Sequence, residues 1–368
     1  MKTVNGNQSR ILRFILDKGE TSKAQIAHDL KLSMPTVLQN LKILSEAGIV
    51  KEVGLYESTG GRKAKAISVC GELKYSIGLD ITKKHIGLVL LDMKGQVINN
   101  KRKRIDFENT IVYCQRLSDE IYGFIEESGI SQEKVLGVGV SIPGIVDHEN
   151  RMIIKSHILN IENSSLRNIE NAIDFPVYFE NDANAALMAE RTSENDSVVY
   201  LSLSNSVGGA ICIKGHMFRG NSQKAGEVGH VILHADGKKC YCGKKGCVDS
   251  YLSALNLRTR EDMSLEEFMT AVNQGDKESL KIWDNYLDEL ALTISNIRVM
   301  FDTDIILGGY VGHYMKDFTV ELGTKISAIS IFDSDISYLR NCIYKQEVSA
   351  VGAATYFIDK FVNELPME

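Results

Sequence analysis

Three cysteines crowd into eight residues, Cys240, Cys242 and Cys247, with His230 ten residues upstream. A Cys-x-Cys pair followed by a third cysteine five residues on lets three sulfurs converge on one ion, and Gly243 and Gly246 relax the loop. With one imidazole this is a Cys3His set, the donor chemistry of a closed tetrahedral structural zinc site. Both His230 and His234 are near enough in sequence to be the fourth ligand. The chain has seven cysteines (70, 114, 212, 240, 242, 247 and 342), an odd number and too few for a secreted scaffold. Metal is therefore favoured over disulfides.

A second set of residues points to nucleic acid. Ser33, Pro35, Thr36, Gln39 and Asn40 are mostly small or polar and open a short helical pattern, suited to lying in a major groove where side chains reach base edges or phosphates. Arg62, Lys63 and Lys65 sit in or beside a glycine-rich stretch, placed to meet a minor groove or flanking phosphates. The charge agrees. Residues 1–70 hold 11 Lys/Arg against 6 Asp/Glu, and the rest of the chain holds 31 against 42, for a net of −6. A basic head on an acidic body suggests that the head meets a polyanion and the body does not.

The elements that must carry these residues follow from periodicity. Residues 8–18 place Ile11, Leu12, Ile15 and Leu16 on one helical face. Ser22 reads as an N-cap for a second helix bearing Ala24, Ile26, Ala27 and Leu30. Ser33 caps a third, with Pro35 in its first turn, Val37, Leu41 and Leu44 inside, and Gly48 at its end. Residues 49–53 and 65–69 then read as strands joined by a basic tip: a wing. Together these make a winged helix-turn-helix, against the plainer alternative of a three-helix protein-docking module.

The body alternates strands and helices. Strands are expected at 75–80, 86–92, from 97, at 135–141, 177–180, 198–204, 210–213 and 305–307, and helices at 110–128, up to Arg191, and at 280–301. Strands that open at their carboxyl ends into glycine or acidic turns place ligands at the edge of an α/β sheet. Two such sets predict two lobes with a cleft between them. The expected division is 1–70 for the head, 71–190 for a first lobe that also takes part of the C-terminal helix, and 191–368 for a second lobe with the cysteine loop. With 368 residues, 44% hydrophobic and 24% charged, the chain has the balance of a multi-domain globular protein. No apolar run reaches the roughly 18 residues of a membrane helix, and the polar start lacks a signal peptide. A cytoplasmic location is expected.

Four motifs carry a resemblance that covers the chain: Val138-Gly-Val-Ser-Ile-Pro-Gly144, Glu180-Asn-Asp-Ala-Asn184, Gly226-Glu-Val-Gly-His230 and Cys240-Tyr-Cys-Gly-Lys-Lys-Gly-Cys247. The chain resembles the ROK family (repressor, open reading frame, kinase), and its head resembles the winged helix of the repressor branch, down to Ser58-Thr-Gly-Gly-Arg62. The resemblance implies a two-lobed actin-like, ribonuclease H-like sugar-kinase fold behind the winged helix. It ranks His230 over His234 as the ligand beside Cys240, Cys242 and Cys247, and makes the zinc structural. It implies that Asn181, Asp182, Glu227 and His230 face hexose hydroxyls, with Asp182 the general base if phosphoryl transfer persists. At the last sugar contact the family usually has Glu, whereas this chain has Asp249, one methylene shorter.

The phosphate turns depart from the family. The first reads Asp-x-Gly-Gly-Thr in the kinases and Asp80-Ile-Thr-Lys-Lys84 here. The second reads Ser204-Asn205-Ser206 in place of Gly-Thr-Gly, although Gly208, Gly209, Gly308 and Gly309 survive. Side chains where backbone must approach phosphate block that approach. The expectation is a sugar-responsive transcriptional repressor, dimeric or tetrameric, with a sugar or sugar phosphate as effector, no membrane partner and no use for ATP. Its half-sites on double-stranded operator DNA would lie about 10 bp apart or a multiple. Sugar would move the heads through a lever at 69–75. The rival is an active ATP-dependent sugar kinase bearing a DNA-binding head; a third alternative is a docking scaffold with a dead site.

Overall fold

The computed structural model describes residues 6–56, 64–191, 196–333, 335–345 and 347–365. Three helices open the chain: Asn7–Lys18, Lys23–Asp29 and Met34–Glu46. Ser22 and Ser33 cap the second and third, each accepting a backbone N–H three residues on, from Gln25 and Thr36. The turn between them passes through Lys31 at φ 54°. The wing strands are Val50–Tyr56 and Ala64–Val69, the first ending three residues later than the periodicity suggested. A bulge between Glu52 and Gly54 bends that arm, so strict alternation fails there. Glu20–Thr21 adds a third strand that its two-residue length hid from the sequence. Arg62 and Lys63 lie outside the described residues.

The body holds two five-stranded sheets. The first runs in the order Val177–Asn181, Val135–Ile142, Tyr75–Ile81, His85–Asp92, Val97–Arg104, parallel across the first three strands and antiparallel across the rest. The second runs His216–Met217, Val207–Ile213, Val198–Leu203, Asp304–Gly308, Leu339–Asn341. The central strands are buried along nearly their whole length because helices cover both faces, which is why they read as unbroken apolar runs. The C-terminal helix Val348–Asn363 returns across the first sheet and packs on helix Asp182–Glu190. Glycine makes this close approach possible: a Cβ at Gly78 would lie 1.9 Å from the Ala350 carbonyl oxygen.

Three features differ from expectation. Gly208 and Gly209 lie inside the strand Val207–Ile213 and not in a loop. Gly209 is needed there because a Cβ would come within 2.7 Å of the Gly226 carbonyl oxygen, where the loop bearing Glu227 crosses. A separate antiparallel sheet, Ile145–Asp147, Met152–Ser156 and Ile161–Ser165, fills a stretch with little periodicity. Finally, the segment 69–75, the expected lever, is folded as a packed joint. It contains one helical turn, Gly71–Leu73, whose Gly71 oxygen takes the Met93 N–H and whose Cα leaves no room for a Cβ beside Asp92. The head core (Ile11, Leu12, Ile15, Leu44) and Val89, Leu91, Ala354, Ile358 and Val362 of the body belong to one continuous hydrophobic core.

Candidate functional site

The cysteine loop folds back on itself through Cys240 N–H to Lys244 O and Gly246 N–H to Lys238 O, with Gly243 and Gly246 at positive φ. His230 ends a short turn, Val228–His230. One ligand atom from each of His230, Cys240, Cys242 and Cys247 falls within 4.8 Å of all the others. The Cys242 and Cys247 sulfurs are 3.7 Å apart and the Cys240 sulfur is 4.0 Å from His230 Nδ1. Edges of about 3.8 Å are what metal–sulfur bonds of about 2.3 Å give in a tetrahedron. The donor set fits a metal ion. His234 does not join it: its Nε2 lies 2.6 Å from Glu289.

The acidic residues of the cleft arrive from both sheets. Strand Val177–Asn181 runs directly into helix Asp182–Glu190, so Asn181 becomes the N-cap. Its Oδ1 accepts the N–H groups of Ala183 and Asn184, and its amide donates to the Gly144 oxygen and to Asp182. Both ends of the Asn181 amide are engaged within the chain. Burial pushes the Asp182 carboxyl up to about 6, against the pull of the Ala183 N–H and the Asn181 amide. Glu227 is exposed as a residue, yet desolvation of its carboxyl and then the Asp182 charge raise it above the ordinary range. His230 turns its other nitrogen, Nε2, towards the Tyr241 hydroxyl at 3.5 Å.

Asp249 opens the short helix Asp249–Leu252. It is buried, and one carboxylate oxygen accepts the Val207 N–H at 2.6 Å. The shortened side chain braces the turn 204–206 from behind. Ser253 Oγ donates to Asn205 O and Ala254 N–H to Ser204 O in the same turn.

Sequence reasoning missed the residue that ties the two halves together. Glu180 was visible only as the first letter of a motif. It is wholly buried, and its oxygens accept from Asn181 N–H, Asn184 Nδ2, the Tyr178 hydroxyl and Arg219, with His148 3.4 Å away. Burial alone would raise its pKa, but His148 and Arg219 outweigh it and hold the carboxyl at about 2. Nothing in the spacing of Arg219 or His148 marked them. His157, from the small sheet, was missed as well; its ring meets those of His230 and Tyr241 edge-on, with centroids 6.0 and 5.7 Å away.

Both phosphate turns are closed on the chain itself. At 82–85 the Thr82 hydroxyl accepts the His85 N–H, and Thr82 N–H bonds to the His85 oxygen. Asp80 accepts from Ser141 Oγ; burial and the nearby Glu347 charge raise its carboxyl to about 7. Glu347, at φ 53°, pairs with Arg102 at 2.8 Å. Gly87 makes the space, since a Cβ there would sit 1.6 Å from a Glu347 carboxylate oxygen. Arg102 also lies 3.5 Å from the Tyr310 hydroxyl, just beyond Gly308 and Gly309. The N–H groups of Thr82, His85 and Val207 in and beside these turns are thus already taken within the chain.

In the head, Ser33, Pro35 and Gln39 lie on the exposed side of helix Met34–Glu46, with Thr36 half-buried. Ser33 Oγ is engaged as the cap and with the Thr36 hydroxyl. Asn40 is buried and donates to the Thr36 carbonyl of its own helix. Met34 and Leu38 were overlooked because they read as core residues, yet they stand 41% and 45% exposed on the outer face.

Comparison with known proteins decides the family. The ROK family profile matches residues 76–360, and the profile described as bacterial regulatory protein, arsR family, matches residues 5–52. The chain belongs to the ROK family. The xylose repressor of Bacillus subtilis (strain 168) is 26% identical over 98% of this chain and 97% of its own length. The DNA-binding transcriptional dual regulator NagC of Escherichia coli (strain K12) is 23% identical over 94% and 91%. Among solved structures, a ROK family transcriptional regulator, a homologue of the E. coli MLC protein, superposes with a TM-score of 0.76 at 22% identity, over 98% of this chain and 96% of that one. A ROK glucokinase from Streptomyces griseus superposes at 0.61 and 21% identity but covers 77% of this chain. The ROK sugar-kinase-like fold with an N-terminal helix-turn-helix is thereby established.

Proposed function

We propose that this ROK protein is a sugar-responsive transcriptional repressor that binds double-stranded DNA through its head and a sugar in the cleft between its sheets. One observation carries the choice over a kinase. The carboxylates and imidazole on the sugar side, Asp182, Glu227 and His230, are present, while the turns that would hold triphosphate are closed by Thr82 and braced by Asp249. Phosphoryl transfer depends on positioning and charge neutralisation, and turns whose N–H groups are already taken supply neither. Full-length similarity to named repressors supports the same reading.

In this reading His230, Cys240, Cys242 and Cys247 hold a structural zinc ion, which fixes the loop and orients the His230 ring; the ion supplies no open coordination position. The imidazole then has one nitrogen for metal and one for the sugar or Tyr241. The chain works in the cytoplasm as a dimer or tetramer, with a head at 1–70 and lobes at 71–190 and 191–368. No helix among the described residues is long and apolar enough to cross a membrane. The test is mobility shift of the DNA upstream of the gene, with D-xylose, D-glucose and N-acetyl-D-glucosamine added in turn, alongside ADP release with the same sugars. Sugar-dependent release of DNA without turnover is expected. Rapid ADP release, or no retardation of that DNA, overturns the reading.

A further inference from the structure

The head is not tethered to the body by chain alone. Arg13, on the first helix, pairs with Asp359 Oδ1 on the C-terminal helix and extends its other nitrogen to Asn363 at 3.5 Å. The second carboxylate oxygen of Asp359 takes Arg191 at 3.5 Å. Arg191 is the C-cap of helix Asp182–Glu190, the helix whose first turn is Asn181 and Asp182. Arg191 also donates to Gly215 O at 2.9 Å, in the hairpin of the second sheet. One carboxylate therefore holds three bodies: the head, the helix that begins at the sugar side, and through Arg191 the second sheet. All three side chains are about one-fifth exposed, so the pairs are only partly screened.

We infer that Asp359 is the positioning residue through which the sugar side of the body sets the posture of the DNA head. This inference rests on the proposed function above. Helix Asp182–Glu190 has nine residues, about 14 Å of rise. It packs along the C-terminal helix, where a Cβ on Gly352 would lie 1.6 Å from the Ala185 oxygen, so neither helix shifts alone. A sugar that pulls on Asp182 moves Arg191 at the far end of the same rod. Arg191 and Arg13 hold the two oxygens of one carboxylate, so a displacement at one oxygen is felt at the other. The shared apolar core keeps the head attached while its angle changes. Proximity alone does not make a coupling path; a change in coupling on breaking the junction does.

The experiment measures the DNA affinity of the full chain with and without D-xylose or N-acetyl-D-glucosamine, for wild type, Asp359→Asn and Arg13→Gln. Asp359→Asn keeps the shape and removes the charge. Arg13→Gln leaves the Arg191 pair in place and covers the case in which Asp359→Asn folds poorly. The sugar-dependent ratio of affinities is expected to fall about fivefold or more in each variant. Sugar affinity measured without DNA is expected to stay within twofold of wild type, which a general loosening of the body would not give. Variants that keep the wild-type ratio overturn the inference and leave the function standing. A wild-type chain whose DNA binding no sugar changes overturns both.

Discussion

Arg219, from the loop that leads into Gly226-Glu227, reaches across to the buried Glu180 of the first sheet at 2.5 Å. Glu180 ends a strand of the first sheet and Arg219 follows the last hairpin of the second, and each belongs to the segment that carries one half of the sugar side. Their pairing ties those two segments together.

That junction predicts an asymmetric response to mutation. Glu180→Gln leaves the Arg219 cation without its partner in a largely buried place, and a broken buried pair costs about 3–5 kcal/mol. Arg219→Gln leaves the wholly buried Glu180 carboxylate without its cation and should cost more. The Glu180 carboxyl is lowered in the folded state, so its contribution is complete above its unfolded value and is lost as pH falls towards about 2. Urea unfolding of both variants at pH 7 and pH 3 checks the order. Equal stability of Glu180→Gln and wild type at pH 7 would contradict it.

Sugar binding should depend on pH through Asp182. Its carboxyl titrates near about 6 when folded, and the ionised form is the better acceptor for a hydroxyl. Because the folded pKa is raised, ionising Asp182 costs stability as pH climbs from its unfolded value through about 6, and a bound hydroxyl offsets that cost. Affinity is expected to tighten about tenfold from pH 5 to pH 7. Asp80 and Glu227 titrate in the same cleft, so Asp182→Asn is the control: the variant should bind weakly with a flatter profile. An unchanged profile assigns the titration elsewhere.

Metal content offers a direct check on the cysteine loop. Protein purified without chelator is expected to carry one zinc per chain. Removing it with a strong chelator, or making Cys247→Ser, should lower the melting midpoint, because binding free energy at a structural site is folding free energy. Metal-free protein that melts like the wild type would end the structural role.

The outer face of helix Met34–Glu46 predicts two kinds of mutant. Gln39→Ala should weaken specific DNA binding by about 1–3 kcal/mol while leaving folding intact. Asn40→Ala removes a buried bond to Thr36 and should cost stability in place of specificity, about 1 kcal/mol. Binding of the wild type should fall with salt at a slope near −0.9 per phosphate contacted. Anisotropy titrations on specific and scrambled DNA separate these outcomes.

Local chemistry was legible from the chain alone. Caps at Ser22 and Ser33 and the three-cysteine donor set follow from residue type and spacing, because each depends on neighbours a few positions away. The choice of His230, the motif at 180–184 and the lost glycines of the phosphate turns were readable through the resemblance to the ROK family. What the sequence did not reveal depends on residues far apart along the chain. That Asn181 also caps helix Asp182–Glu190 and that Asp249 takes the Val207 N–H at 2.6 Å were not readable from the chain. Glu180 with Arg219, Arg102 with Glu347, and Asp359 with Arg13 are separated by 39, 245 and 346 positions. Pairings at such range carry no periodic signal. Only the packing of two sheets and a returning helix, which buries apolar faces first and so brings those charges together, decides them.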